Sequence, residues 1–401
     1  MLFFNIHQTV DVGPGRTFAR IEDALSFAIP GMEIDVYPSP DNYKGTAILI
    51  TKSGIKLIGR RKPCIDGSGF DYSGSGRTPR GIFQINPEAT GIIIEGFELK
   101  GAHNQSHNGA GVRINGASDC TVRNCSIHNN DMGIMSNGAP GDPKAASNQL
   151  IERCEIFKNG DFADPGYNHN LYLGGTSVTV QFCDIHDSLT GHNLKCRAHF
   201  AQVLYNQIHD SSNRELDFVE SWDTARPNSN VLLMGNVIRK NPEANGNRTV
   251  IHFGQERGTR DGTIYLINNE ISTEFASPVL LLTSPTSSAR FVNNVIDNFK
   301  QARPSLVTAD NGPSLDKVAG STNVMTANYD VAGTRIDPKS LFTDPRSGVP
   351  YGTRSKETLP FPPAKVWYLD GDGNRHDAIP AFRFDGFGGW IQAKDRGIGA
   401  S

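Results

Sequence analysis

Residues 167–220 contain three related segments, NHNLYLG (168–174), HNLKCR (192–197) and RELDFV (214–219). If each segment forms a short strand, its side chains alternate between two faces. One face then receives Leu171, Leu194 and Leu216. The opposite face receives Tyr172, Lys195 and Asp217. The sequence therefore predicts stacked strands with one apolar face and one polar face.

A second marker keeps the same phase along the chain, a cysteine or asparagine two positions before an isoleucine. It occurs at Cys125/Ile127, Cys154/Ile156, Cys183/Ile185, Asn206/Ile208, Asn236/Ile238, Asn269/Ile271 and Asn294/Ile296. The marker recurs every 23 to 33 residues, and repeats of this length, with one β-rich unit each, are typical of a solenoid. A propeller blade would need about 40 residues, and the LxxLxL frame of a leucine-rich repeat is absent. We therefore predict a parallel β-helix.

Composition agrees with this fold and excludes several functions. The 401 residues include 42 glycines and carry a formal net charge of −3, so we expect no nucleic-acid partner. There is no apolar run of about 18 residues, so we expect no membrane span. Six cysteines in so long a chain do not form a disulfide scaffold. Those at the marker position are instead predicted to be stacked, buried thiols.

The N-terminal region predicts a helical cap at about 12–30. The apolar spacing over 21–28 is helical, and Pro30 and Gly31 end the helix. Together with VGPGR (12–16), PGMEIDVYP (30–38), IKLIGR (55–60) and the later repeats, this helix resembles the opening of the pectate-lyase-like proteins. The resemblance covers roughly residues 10–300. It implies an all-β, single-stranded right-handed parallel β-helix, a fold shared by lyases, hydrolases, epimerases and phage tailspikes.

Two regions follow from the repeats. Residues 1–302 are predicted to form the β-helix with its cap, and residues 303–401 an irregular C-terminal extension that packs on it or caps it. The DGDGN segment (370–374) lacks the closing glutamate of an EF-hand loop and is predicted to be a turn. Insertions beside the polar strands are expected to form the walls of a groove, and they span residues 138–147, 159–167, 221–229 and 256–261.

The polar face is the candidate site. Continuing the register through 250–254 adds His252 to the column of Tyr172, Lys195 and Asp217. A parallel column two residues earlier would hold Asn170, Asn193 and Glu215, and Arg197 lies two residues after Lys195. Adjacent strands are about 4.8 Å apart and same-face neighbours about 6.6 Å apart. These groups would therefore lie within the length of one sugar-binding site.

This combination of groups suits β-elimination from a uronic acid polymer. The reaction removes the C5 proton next to a carboxylate, whose charge must be neutralised, and it protonates a leaving oxygen. Lys195 and Arg197 suit the carboxylate, whereas Tyr172, His252 or Lys195 itself could be the base or the acid. These four are the predicted catalytic residues. The predicted substrate-binding residues are Asn170, Asn193, Glu215, Asp217, Arg113 and Trp222.

Other interpretations stay open. Glu215 and Asp217, about 6.6 Å apart, could serve an inverting glycosidase, although the Asp-Asp pair and Gly-His-Gly expected of hydrolases in this superfamily are absent. A C5-epimerase and a tailspike-like carbohydrate-binding module are further alternatives. Taken alone, Asn170 and Asn193 are explained as a ladder of neighbouring amides, and His169 and His192 by structural hydrogen bonds.

Cofactor, partner and location follow from the same considerations. No metal ligand is predicted, because the acidic cluster of the pectate lyases has no clear counterpart. Calcium stays possible, since Glu215, Asp217, Glu220 and Asp223 could hold a cation. The expected partner is an acidic polysaccharide bound by a monomer. This substrate predicts an extracellular or periplasmic location, although residues 1–7 lack the features of a signal peptide.

Overall fold

The structure is a computed structural model. It describes residues 9–74, 78–256, 258–298, 300, 304–310, 317–325, 335–336, 342–343, 366–384 and 390–392. No helix within these ranges has the length and apolar character needed to cross a membrane. Residues 1–8 lie outside these ranges. So does most of the part of the predicted extension, 303–401, that follows residue 343.

The chain winds through three parallel sheets, and a full coil adds one strand to each. In the described residues the first sheet has 13 strands: Thr9–Val12, Glu33–Val36, Lys56–Gly59, Ile93–Glu95, Thr121–Arg123, Gln149–Glu152, Ser177–Gln181, Phe200–Leu204, Val231–Met234, Thr263–Ile267, Ser288–Val292, Val318–Ser321 and Arg335–Ile336. The second has 11: Cys64–Asp66, Glu98–Lys100, Ser126–His128, Glu155–Phe157, Asp184–His186, Gln207–His209, Val237–Arg239, Glu270–Ser272, Val295–Asp297, Val324–Met325 and Phe342–Thr343. The third has 10: Ile48–Ile50, Gly81–Ile85, Ala110–Asn115, Met132–Asn137, Leu171–Leu173, Leu194–Cys196, Leu216–Phe218, Ile251–Phe253, Leu280–Leu282 and Val307–Ala309.

The core runs along the axis enclosed by the three sheets. Each coil contributes inward side chains that pack on those of the next, and one continuous apolar cluster extends from Val12 to Met325. The leucines of the third sheet that the alternation placed inside, Leu171, Leu194 and Leu216, are all fully buried. Each interior strand pairs with the coil above and the coil below, so it has no free edge.

The corner between the first and second sheets explains the repeating marker. Its first residue has a positive φ, as at Phe182 (55°) and Asn268 (53°), which turns the chain sharply. Its second residue is the marker cysteine or asparagine, which points inward. Each asparagine joins its neighbours, as where the Oδ1 of Asn236 accepts hydrogen bonds from both the backbone N and the Nδ2 of Asn206, each at 3.0 Å. The predicted marker is confirmed, and the structure extends the ladder to Asn323.

The cysteines of the ladder are also as predicted. Cys125, Cys154 and Cys183 are buried and free. Their thiols make weaker versions of the asparagine contacts, as where the backbone N of Cys154 lies 3.4 Å from the Sγ of Cys183. Burial raises the pKa of the Cys125 and Cys154 thiols well above the usual value, so both are neutral packing groups.

The two ends of the chain differ in how closely they follow expectation. The cap helix spans Ile21–Phe27, with Ile21 and Ala24 buried, inside the predicted 12–30. The β-helix does not end at residue 302, because parallel pairing continues through Val307–Ala309 to Phe342–Thr343. That predicted boundary is therefore too early.

The C-terminal extension contains an antiparallel hairpin, Val366–Leu369 with Arg375–Ala378, and a second strand pair, Phe382–Phe384 with Trp390–Gln392. The first hairpin packs along the outer face of the first sheet, where an apolar cluster joins Tyr205, Leu232, Met234, Tyr265 and Ile267 to Val366, Tyr368 and Ala378 of the hairpin and to Phe382 of the second pair. The DGDGN segment is its turn, since the Oδ1 of Asp370 accepts from the backbone N of Asp372 and Asn374.

Candidate functional site

The polar column lies on the outer face of the third sheet in the predicted register. Tyr172 pairs with Lys195, Lys195 with Asp217, and Asp217 with His252. Each strand is three residues long, so its middle residue points outward while its neighbours face the core. Exposure falls along the column, from the partly exposed Tyr172 to the buried Asp217 and His252.

Asp217 is the electrostatic centre of the column. It is fully buried, and its carboxylate lies 2.7 Å from His252 Nδ1, 3.3 Å from Lys195 Nζ, 3.3 Å from Arg214 Nη1 and 3.4 Å from His192 Nε2. Burial alone would raise the pKa of Asp217. The surrounding cationic and hydrogen-bonding groups, His192 and His252 foremost, hold it well below its usual range. Asp217 is therefore an ionised carboxylate that organises its neighbours.

His252 lies beneath the loop that follows its own strand. Its Nδ1 is bound to Asp217, and its Nε2 lies 2.8 Å from the Oγ1 of Thr283. Thr283 in turn holds the backbone of Gln255, accepting from its N at 2.8 Å and donating to its O at 3.1 Å. Because both ring nitrogens are engaged and the side chain is buried, this geometry favours a positioning role. It does not support the predicted role of His252 as base or acid toward substrate.

A connected cluster lies on the solvent side of Asp217. Lys195 Nζ and Arg197 Nη2 bind the two carboxylate oxygens of Glu256, one each. Arg197 also donates from Nε to the hydroxyl oxygen of Tyr172 at 2.9 Å and from Nη1 to the carbonyl of Glu220. Three of the four predicted catalytic residues, Tyr172, Lys195 and Arg197, are thus brought into one hydrogen-bonded group.

The charges in this cluster reinforce one another. Burial would lower the pKa of Arg197, but Tyr172 and Glu256 raise it above its usual value. Burial would raise the pKa of Glu256, but the Lys195 and Arg197 cations lower it. At neutral pH the Glu256 carboxylate and the Arg197 guanidinium are therefore both charged.

Glu256 is a functional candidate that no sequence pattern indicated, whereas Glu220 was predicted only as a possible cation ligand. Glu256 belongs to the predicted wall at 256–261, but no sequence pattern shows that it reaches across to Lys195. The Glu220 carboxylate binds the loop, since it accepts hydrogen bonds from the backbone N of Glu256 at 2.5 Å and of Gly258 at 2.9 Å.

Two stacked imidazoles lie beside the column. The rings of His169 and His192 are 5.0 Å apart and nearly parallel, at 6°. The backbone N of His192 donates to His169 Nδ1 at 3.0 Å, as a structural role for these residues predicts. Burial lowers the pKa of His192 to about 4 even though Asp217 opposes the shift, so its ring is neutral at pH 7. The pair is a neutral support for the Tyr172 ring, 5.5 Å from that of His169.

Asn170, Asn193 and Glu215 do not line the groove. All three are fully buried, in a ladder where the Nδ2 of Asn170 donates to Asn193 at 2.8 Å and that of Asn193 donates to Glu215 at 2.6 Å. They lie just before their strands, where the chain still turns and alternation does not apply. Their predicted role in substrate binding is therefore wrong, and the ladder interpretation of the two asparagines is correct.

The buried position of Glu215 also removes the hydrolase pair. Its carboxylate accepts a hydrogen bond from the backbone N of Ser211 and lies 3.6 Å from Nζ of the fully buried Lys240. Burial raises the pKa of Glu215 to about 6, although Lys240 opposes the shift. A carboxyl group enclosed in this way cannot act across a glycosidic bond together with Asp217.

The remaining predicted binding residues, Arg113 and Trp222, lie outside the cluster around Asp217. Arg113 continues the column through Met135, its Nη1 3.1 Å from the Met135 sulfur, and burial lowers its pKa to about 10. Trp222 begins a 3-10 helix, Trp222–Thr224, and is 59% exposed. The loop of Trp222 is fixed to the sheet because Gly175 N donates to the carboxylate of Asp223 at 3.2 Å.

Comparison with known proteins agrees with this architecture. The family described as "Right handed beta helix region" matches residues 48–250, just over half of the chain. The chain belongs to this right-handed β-helix family. The predicted fold is confirmed. The β-helix protein is also similar in structure to pectate lyase Pel9A, with a TM-score of 0.48, 13% sequence identity, and coverage of 91% of this chain and 86% of that chain. No curated protein matches its sequence.

The acids proposed for a cation are not gathered at one point of the β-helix protein. Glu215 belongs to the interior ladder, Asp217 to the column, Glu220 to the loop anchor and Asp223 to the sheet edge. The described residues contain no group of three or more His, Cys, Asp or Glu side chains placed to hold a metal ion. The described residues do not bring these acids together, and calcium binding stays a prediction.

Proposed function

We propose that this β-helix protein is a polysaccharide lyase, which cleaves a uronic acid-containing polysaccharide by β-elimination. The observation that carries the proposal is the joining of Tyr172, Lys195 and Arg197 in one hydrogen-bonded cluster on the groove side of the third sheet. A substrate of this class implies an extracellular or periplasmic site of action. We expect a monomer to act, because all three groups come from one chain.

Two of these groups suit the charged part of the reaction. Removing the C5 proton of a uronate generates an enediolate, which adds negative charge at the carboxylate. Lys195 and Arg197 already bind both oxygens of one carboxylate, that of Glu256, so their spacing suits a uronate. Asp217, wholly buried behind Lys195, keeps the ammonium group in place at 3.3 Å.

We assign proton transfer to Tyr172 and, as a second role, to Lys195. The Tyr172 oxygen faces Arg197 Nε at 2.9 Å, so a cation stands beside the negative charge that this oxygen would carry as a base. Tyr172 would take the C5 proton, and the electron pair of that C–H bond would form the C4–C5 double bond. The C4–O bond then breaks, and Lys195 would donate a proton to the leaving oxygen. His252 supports Asp217 and takes no proton from the substrate.

The test follows absorbance of the unsaturated uronate while the protein is offered a panel of uronate polymers. Wild-type protein should produce rising absorbance with one member of the panel. Tyr172→Phe and Lys195→Ala should each lower the rate by about 10²-fold or more, the range for a lost acid or base. Lys100→Ala is the matched control, because Lys100 lies on the second sheet and pairs with Glu98. It should leave the rate unchanged.

The alternatives give different signals. New reducing ends without absorbance would indicate hydrolysis and refute elimination. Inverted C5 stereochemistry without chain cleavage would indicate an epimerase. Binding with no product of any kind would indicate a carbohydrate-binding module. An absorbance rise that survives both Tyr172→Phe and Lys195→Ala would remove the chemistry from this cluster.

A further inference from the structure

One carboxylate of the protein itself occupies the cationic point formed by Lys195 and Arg197. Lys195 Nζ binds one oxygen of Glu256, and Arg197 Nη2 binds the other. The two cations come from a single strand and the residue that follows it, Leu194–Cys196 and Arg197, so the sheet fixes their separation. A single carboxylate that bridges an ammonium and a guanidinium is the arrangement expected of a carboxylate-binding site.

Glu256 reaches this point from a distant part of the sheet. It follows strand Ile251–Phe253, which is two strands beyond Leu194–Cys196. At about 4.8 Å per strand, the loop returns about 10 Å across the sheet. Its turn begins at Gly254, which has a φ of +148°. The path over Asp217 and His252 explains why both are buried although they point away from the core.

The loop backbone is fixed independently of the Glu256 side chain. The Glu220 carboxylate accepts from the backbone N of Glu256 and of Gly258, and Thr283 holds Gln255 through two hydrogen bonds. The Glu256 side chain itself is 37% exposed, whereas that of Lys195 is 9% exposed. The carboxylate can therefore rotate toward solvent while the backbone keeps its position, and this rotation would uncover Lys195.

Charge and size favour one class of ligand in place of the Glu256 carboxylate. The Glu256 carboxylate is ionised at neutral pH, because its pKa is lowered by Lys195 and Arg197 against the effect of burial. A uronate carries the same planar group with the same charge. A neutral sugar would leave Arg197 without a carboxylate partner and Lys195 with Asp217 alone once Glu256 had moved, which is costly in a half-buried site.

We propose that Glu256 occupies the subsite of a uronate carboxylate in the free protein, and that the substrate displaces it from Lys195 and Arg197. This inference rests on the proposed function for its substrate class, and it deepens that function by assigning the subsite. It makes Glu256 an internal competitor that selects for acidic sugars.

The experiment measures acetylation of Lys195 by an amine-reactive ester, read by peptide mass spectrometry in the full chain. Wild type is compared with Glu256→Gln, with and without sodium D-glucuronate. Sodium chloride at equal ionic strength and the neutral amide D-glucuronamide are the ligand controls. The partly exposed Lys100, on the second sheet, is the internal reference. Glu95→Gln is the matched variant, because Glu95 also binds an arginine, Arg123, far from the groove.

In wild type, Lys195 should react slowly, and neither sugar should change its rate. In Glu256→Gln it should react at least fivefold faster, and glucuronate alone should restore the slow rate. Glu95→Gln should behave as wild type. Glu256→Asp, which keeps the charge but shortens the side chain, should give an intermediate rate and serves as a second variant if Glu256→Gln does not fold.

Three results would overturn the proposal: equal Lys195 rates in wild type and Glu256→Gln, no protection of the variant by glucuronate, or equal protection by glucuronamide. The outcome is separate from that of the elimination assay. Protection without elimination would retain the carboxylate subsite and remove the lyase. Elimination without protection would retain the lyase and remove the role of Glu256.

Discussion

Replacing Asp217 by asparagine tests the central electrostatic feature of the groove. The asparagine has nearly the same shape, and its oxygen can still accept from His252, but it removes the negative charge opposite Lys195 and Arg214. Removing one partner of a buried ion pair costs about 3–5 kcal/mol. Asp217 is fully buried, so no reduction for solvent screening applies. We expect Asp217→Asn to lower the free energy of unfolding by about 3 kcal/mol at pH 7.

The pH dependence follows from the direction of the pKa shift. The pKa of Asp217 in the folded protein is well below its usual range, because its cationic and hydrogen-bonding neighbours outweigh the effect of burial. A depressed folded pKa contributes stability that is fully present above the unfolded pKa of about 3.9 and is lost as pH falls through the folded value. The difference between wild type and variant should therefore stay constant from about pH 5 to 8 and shrink only below about pH 4.

Urea unfolding followed by far-ultraviolet circular dichroism measures both quantities. The matched control is Asp187→Asn, because Asp187 also faces a histidine, His186 at 2.8 Å, but is 47% exposed. That substitution should cost about 0–1 kcal/mol. Equal losses for the two variants would refute the buried ion-pair cluster. A difference that already vanishes at pH 6 would refute the depressed pKa.

Two further predictions concern the asparagine ladder and His209, which lies at the end of strand Gln207–His209 in the second sheet. Asn236→Ala leaves the buried backbone N of Asn206 without its acceptor and should lower the free energy of unfolding in urea by about 3 kcal/mol. The control Asn245→Ala, at an exposed position, should change this free energy by less than about 0.5 kcal/mol. Equal effects of the two substitutions would contradict the ladder. His209 has its pKa raised to about 9 because Asp184 and Asp210 outweigh its burial, so its stabilising effect is full below pH 6.5 and lost as pH rises through 9. His209→Gln should therefore lower the urea midpoint at pH 7 but not at pH 10, and the same loss at both values would contradict the assignment.

The repeat marker made the fold predictable, because each marker residue must bond to the coils on both sides. Asn236 and Cys183 occupy the same corner in different coils, and either side chain extends the ladder. The marker weakens where the prediction ended too early. Asn323 continues the ladder, but the residue two positions later is Met325 instead of isoleucine.

The column of outward residues was predictable for a similar reason. Alternation is a local property of a strand, so the register of Tyr172 with Lys195 follows once the strands are recognised. The same rule failed for Glu215, because the strand begins at Leu216 and the chain is still turning one residue earlier. Alternation describes a side chain only while the backbone around it remains extended.

By itself, the sequence determined the solenoid, the ladder position, the cap helix and the identity of the groups on the outer face of the third sheet. These depend on periodicity and on hydrogen bonds between successive coils. The tertiary structure alone decided which groups face solvent. It brought Glu256 from two strands away onto Lys195 and Arg197, placed Asp217 and His252 under that loop, and enclosed Glu215 with Lys240. The path of a loop across a sheet depends on packing and on anchors such as Glu220, and neither leaves a periodic trace in the sequence.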